Sequence, residues 1–128
     1  MNLFTYGPLV LAQVMKGVTG RVFRFKEAKL RGYREFRVNS DAEQAAIIPF
    51  PDMETEGMVY FDVDDASLKR VDGFQGALYR RVEVNVEGLT GDWIEAEAYV
   101  IRLKNIEVLS AGPWDEEAFR QKHLSKYP

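Results

Sequence analysis

Hydrophobic and polar positions change their period several times along the chain. Leu3-Phe4-Thr5-Tyr6 is a short apolar run cut off at Gly7-Pro8, which predicts a strand ending in a corner. Apolar residues then recur at Val10, Leu11, Val14 and Met15, one face of a short helix over Leu9 to Lys16 that stops at Gly17. From Arg21 to Val38 basic residues alternate with Val22, Phe23, Phe25, Ala28 and Leu30, predicting one or two strands broken near Arg31-Gly32-Tyr33. Asn39 to Gln44 is polar and turn-like. Ala45 to Ile48 is at best a short edge strand, because Pro49 and Pro51 follow it. Gly57 to Val63 is a clearer strand. Asp64 or Asp65 then caps a short helix through Val71, and Gly73 and Gly76 bracket a tight loop. Tyr79 to Val86, with Val82, Val84 and Val86 on one face, and Trp93 to Arg102 predict two long strands joined by a hairpin loop over Gly88 to Asp92. Pro113-Trp114-Asp115-Glu116-Glu117 starts a last helix, with acids in the turn where the macrodipole favours them.

About six strands following one another, with two or three short helices, predict an α+β fold: a small, mainly antiparallel β-barrel flanked by short helices. No repeat or linker interrupts the 128 residues, so a single domain over 1–128 is expected. Cysteine is absent, which excludes disulfides, thiolate catalysis and Cys-ligated zinc. No signal peptide is recognisable and no apolar run approaches the roughly 18 residues of a membrane span, so no membrane partner and a cytoplasmic location are expected.

Net charge is −3 but unevenly spread. Arg21 to Arg37 carries seven basic and two acidic residues, net +5, which leaves −8 on the remainder. A basic stripe attracts anions. Here its alternation with apolar residues is that of solvated strand faces, and the acidic remainder opposes nucleic acid as a partner.

Two stretches carry candidate chemistry. Gly7 at a strand end lets backbone approach a ligand, and the helix start behind it offers unpaired N–H groups to a carboxylate or phosphate. The plain alternative is a turn. Asp72-Gly73-Phe74-Gln75-Gly76, followed by Tyr79-Arg80-Arg81, can present Gln75 to a cavity with a phenol and a guanidinium nearby. Its plain alternative is a helix end with Phe74 in the core and solvated arginines. Asp62, Asp64 and Asp65 lack the spacing of a calcium loop and suit helix capping. His123, the only histidine, has no second ligand at metal spacing, so no metal site is expected.

Together the two stretches resemble the γ-glutamylcyclotransferase-like, or AIG2-like, family. Leu3-Phe4-Thr5-Tyr6-Gly7-Pro8-Leu9 is similar to its N-terminal Tyr-Gly-(Ser/Thr)-Leu loop. Val71-Asp72-Gly73-Phe74-Gln75-Gly76 with Leu78-Tyr79-Arg80-Arg81 is similar to its Leu-Asp-x-Phe-Glu-Gly…Tyr-x-Arg segment. Ala28 to Tyr33, Ile47 to Pro51, Glu56 to Tyr60, Ala98 to Val100 and Pro113-Trp114-Asp115 with Phe119, His123 and Leu124 extend the likeness, the last as in bacterial-type members. The resemblance implies a small β-barrel whose Tyr-Gly loop holds a γ-glutamyl group. The substrate's α-amine attacks its own γ-carbonyl, closing 5-oxoproline and expelling an amine, with the segment's Glu as base and no cofactor. The implied partner is a small γ-glutamyl or carboxylate ligand, met by Tyr6, Gly7, Pro8 and Leu9, with Tyr79 and Arg81 behind. Two positions depart from the pattern. Gln75 stands where the base is expected, and an amide takes no proton near neutral pH. Pro8, where Ser or Thr is usual, supplies no N–H. Asp72 and Glu83 are the acids nearest in sequence to Gln75, and neither is an evident substitute. A silent binding protein of the same family is the alternative.

Overall fold

Five strands close on themselves into a barrel: β1 (Leu3–Thr5), β2 (Phe25–Val38), β3 (Asp41–Tyr60), β4 (Tyr79–Gly88) and β5 (Trp93–Ile101). The computed structural model describes residues 1–39 and 41–127, the side chains of residues 41 and 42 excepted. The hydrogen-bonded order is β3-β1-β5-β4-β2, with β2 returning to β3, and the short β6 (Leu109–Ser110) extends the far end of β2. All pairings are antiparallel except β1 with β5. Closure leaves few free edges, as the sequence of short strands predicts.

Three α-helices flank the barrel: α1 (Ala12–Thr19), α2 (Asp65–Gln75) and α3 (Glu116–Lys122). The side chains of Asp64 and Asp115 cap α2 and α3 by accepting from Ser67 N–H and Ala118 N–H. Two apolar clusters result. One, with Leu3, Leu9, Val14, Val71 and Phe119, lies between strands and helices. The other draws Phe4, Ala28, Ile47, Val59, Val86 and Ala98 from all five strands and fills the barrel.

Several boundaries differ from the sequence pattern for identifiable reasons. Before α1 the chain makes a 3-10 turn, Gly7–Val10, rather than entering a helix directly at Leu9. Helix α1 then runs through Gly17 and ends at Gly20, whose φ of +75° closes the last turn. Gly17 serves packing instead, since a Cβ there would come within 3.0 Å of the Tyr127 ring. Helix α2 likewise continues past Val71 and Gly73, and Gly76 at φ +83° ends it. Gln75 therefore sits on a helix end, not in a loop.

Ala45 to Ile48, expected as a short edge strand, is the middle of the 20-residue β3. The prolines are accommodated at an irregularity: Arg31 pairs with Glu54, but Tyr33 pairs with Pro49. Gly32 (φ +83°) and Asp52 (φ +67°) take up the distortion. The turn-like character expected of Asn39 to Gln44 includes Ser40, which lies outside the described residues; from Asp41 onward the segment is strand. The basic stripe covers strand faces: Lys29 and Arg31 reach Glu54 and Glu87, and Arg24 lies over the Phe61 ring. Among the described residues, no helix is long and apolar enough to cross a membrane.

Candidate functional site

The strand-and-corner at the N-terminus is held at four successive residues. Tyr6 is extended, and its hydroxyl donates to the Tyr99 carbonyl at 2.5 Å inside the barrel. Gly7 has φ +63°, and a Cβ on it would lie 2.8 Å from the Ala45 methyl, so glycine is required twice over. Pro8 is the second residue of the 3-10 turn, where a missing N–H leaves no bond unmade. Leu9 joins the helix-side core, and its carbonyl accepts from the Tyr60 hydroxyl at 2.7 Å.

A cleft of about 530 Å³ opens beside this corner, lined by Gly7, Val10, Gly57, Trp114 and Glu35. Glu35 is half-buried, and the backbone amides of Trp114 and Gly7 lie near enough to its carboxylate to favour its charged form. Burial outweighs these amides and pushes its pKa up to about 7. No Lys or Arg forms a salt bridge with it among the described residues. The Tyr6 phenol, raised by burial, lies close enough to feel the carboxylate's charge.

Glu35 escapes a reading of the sequence because of Gly32. Up to Leu30 the core-facing positions of β2 are the even ones, Ala28 and Leu30. The irregularity at Gly32 shifts the alternation, and Tyr33 is the next residue packed on the barrel core. Glu35, two positions on, shares the side of Tyr33. A bulge re-aiming a side chain beside a cleft is the signal that was available, in the glycine between Arg31 and Tyr33.

The second sequence-derived stretch is placed elsewhere. Gln75 is half-buried on the last turn of α2, and its amide makes no side-chain hydrogen bond among the described residues. One turn earlier, Asp72 accepts from Arg81 at 3.0 and 3.2 Å and from the Tyr99 hydroxyl at 2.6 Å. Arg81 also bonds Glu97, so its guanidinium is shared between two carboxylates. The Tyr79 hydroxyl donates to the Ala45 carbonyl at 2.7 Å, and burial raises its pKa. Gln75, Tyr79 and Arg81 are not among the residues lining the cleft at Gly7. On the α2 side, Leu9 meets the apolar cluster of Val71 and Phe119, with Phe74 and Leu78 packed against it. The open space lies on the Glu35 side of Gly7.

The discounted candidates have structural places. Asp64 caps α2, and its bond from the Ser67 hydroxyl leads the effects that hold its carboxyl down at about 2. His123 lies against Phe119, ring centroids 5.7 Å apart. Among the described residues no group of three or more acids or histidines could hold a metal.

A closed five-stranded barrel with a Tyr-Gly corner at the mouth of a cleft defines a class of small barrel protein with known relatives. The family model for γ-glutamyl cyclotransferase, AIG2-like, matches residues 3–116, and the chain belongs to that family. AIG2-like protein C of Arabidopsis thaliana is 31% identical over 121 residues, 94% of this chain and 69% of that protein. AIG2-like protein D of the same plant is 27% identical over 128 residues, 98% of this chain and 83% of that protein. A solution structure of an Arabidopsis thaliana protein superposes with a TM-score of 0.76 at 24% identity, over 98% of this chain and 84% of that one. A structure of a γ-glutamyl cyclotransferase superposes with a TM-score of 0.69 at 22% identity, over 80% of this chain and 66% of that one, which is a likeness of fold.

Proposed function

We propose that the chain cyclises a γ-glutamyl amine or related γ-glutamyl amide to 5-oxoproline, releasing the amine. The observation that supports this is the cleft at Gly7: the glycine of the family's Tyr-Gly loop lines a space large enough for such a ligand. The reaction is internal. The α-amine attacks the γ-carbonyl, a five-membered lactam closes, and the bond to the leaving nitrogen breaks. Holding amine and carbonyl in register is itself a large part of the acceleration. The reaction needs neither metal nor nucleotide. Tyr6, Gly7, Pro8 and Leu9 shape the binding side in this reading, and Gln75, outside the cleft lining, accepts no proton. A small γ-glutamyl or carboxylate compound is the partner, with no nucleic acid or membrane, in the cytoplasm. A bacterial-type member belongs to the same reading.

Gln75 favours a second reading, a silent protein of this family that binds a carboxylate-bearing ligand. The experiment measures 5-oxoproline released from a panel of γ-glutamyl amines and dipeptides by the natural chain and by Gln75→Glu. Release by both is expected. Release by Gln75→Glu alone would move the natural chain to the binding reading. Release by neither would discard the cyclotransferase reading.

A further inference from the structure

We propose that Glu35 is the proton-accepting group of this site, taking over the work that Gln75 cannot do. The inference rests on the cyclotransferase reading and deepens it. Its basis is position: a carboxylate on the barrel-facing side of β2, in the wall of the same cleft as Gly7 and near the Gly7 amide.

The surroundings suit a proton acceptor. With no cation in a salt bridge to it among the described residues, the charge of Glu35 is held by the two backbone amides alone. The other titratable groups lining the cleft are Glu27, Lys29, Glu56, Glu87 and Glu116. Lys29 is engaged by Glu54 and Glu87. Arg34, next to Glu35 on β2, lies over the Phe36 and Phe50 rings, and the Tyr6 phenol, itself beside that of Tyr79, is near enough to feel the Glu35 charge. The field in the cleft is therefore negative and attracts the substrate's α-ammonium toward Glu35. Burial has already raised Glu35 to a basicity matched to neutral pH.

The proton balance is complete without a co-reactant. Glu35 takes one proton from the substrate's α-ammonium, and the free amine forms the new C–N bond to the γ-carbonyl. Protonated Glu35 then delivers that proton to the leaving nitrogen as its bond to carbon breaks. A second proton passes from the ring nitrogen to the leaving amine by the same route. Neutralising Glu35 also weakens its hold on the Gly7 amide. That N–H becomes available to the developing oxyanion in the step that needs it.

The test compares the natural chain, Glu35→Gln, Glu35→Asp and Gln75→Glu for 5-oxoproline release across pH, with 5-oxoproline binding and thermal melts on each. Glu35→Gln is expected to lower kcat by about 10²–10⁴-fold while still binding 5-oxoproline and melting cooperatively. The natural kcat/KM should carry an acid limb near pH 7, the value set by burial of Glu35, and Glu35→Gln should lose it. Glu35→Asp should keep the limb at reduced rate. Undiminished turnover in Glu35→Gln would overturn the inference, and so would an unchanged acid limb. If the natural chain is inert and Gln75→Glu is active, Glu35 is not the base but the cyclotransferase pocket stands. If no form reacts, both readings fall.

Discussion

Two polar clusters occupy the barrel, and they treat charge in opposite ways. Around Asp72, the Arg81 guanidinium lies between two carboxylates and the Tyr99 hydroxyl adds a third bond to Asp72. Around Glu35 there is a half-buried carboxylate with backbone amides and no salt-bridge cation among the described residues. The first arrangement is closed, because each charge meets an opposite charge and the geometry is over-determined. The second leaves its charge dependent on whatever enters the cleft. Charge neutralised within the chain fastens strands to helix; charge left unneutralised beside a cavity is available for chemistry.

The largest break in that contrast concerns stability at Glu35. Its pKa in the folded chain, about 7, lies above its ordinary value of 4.5. The folded state therefore holds the proton more tightly than the unfolded state. Stability is greatest below the unfolded value and falls as pH rises through the folded one. Glu35→Gln removes the penalty. It should stabilise the chain by about 2–3 kcal/mol at roughly pH 8, with little gain at roughly pH 4. Urea unfolding at both pH values checks this. A destabilisation at the higher pH would mean that the carboxylate is a structural anion after all. The gain has the sign expected where function is kept at a cost in stability.

The opposite sign is expected on the other cluster. Arg81→Met leaves Asp72 and Glu97 facing each other without their shared cation. The side chains are 27%, 41% and 16% exposed for Arg81, Asp72 and Glu97, between surface and interior. The cost is accordingly about 2 kcal/mol, below that of a fully buried pair. The midpoint of urea unfolding reads it. An unchanged midpoint together with weaker binding of 5-oxoproline would place Arg81 on the ligand instead.

The contrast was only half visible in the sequence. The barrel was legible because β4 and β5 alternate cleanly and their hairpin is marked by Gly88 and Gly91. The Tyr-Gly corner was legible because a strand cannot pass Gly7-Pro8 unbroken. The length of β3 was not, because Pro49 and Pro51 break the local strand rule and only pairing with β2 overrides it. Glu35 was hidden for a related reason. Which face of a strand a residue occupies depends on every bulge before it, and one irregularity at Gly32 moves a charged residue from the solvent side to the cleft. Arg81 and Asp72 lie nine positions apart, and nothing local announces that they pair.

Tyr99 joins the two clusters and gives the finest test of their independence. Its backbone carbonyl accepts the Tyr6 hydroxyl on the cleft side, while its own hydroxyl donates to Asp72 on the other. Tyr6→Phe removes the first bond, at about 1–1.5 kcal/mol for a buried hydroxyl. Tyr99→Phe removes only the second, and Asp72 keeps both bonds from Arg81, so about 0.5–1 kcal/mol is expected. If the closed and open clusters are separate units, the double variant loses the sum within about 0.5 kcal/mol. A coupling well above that would show that the backbone of β5 transmits strain between them. The barrel would then hold one polar network rather than two, and the basicity of Glu35 would shift when Asp72 or Arg81 is altered.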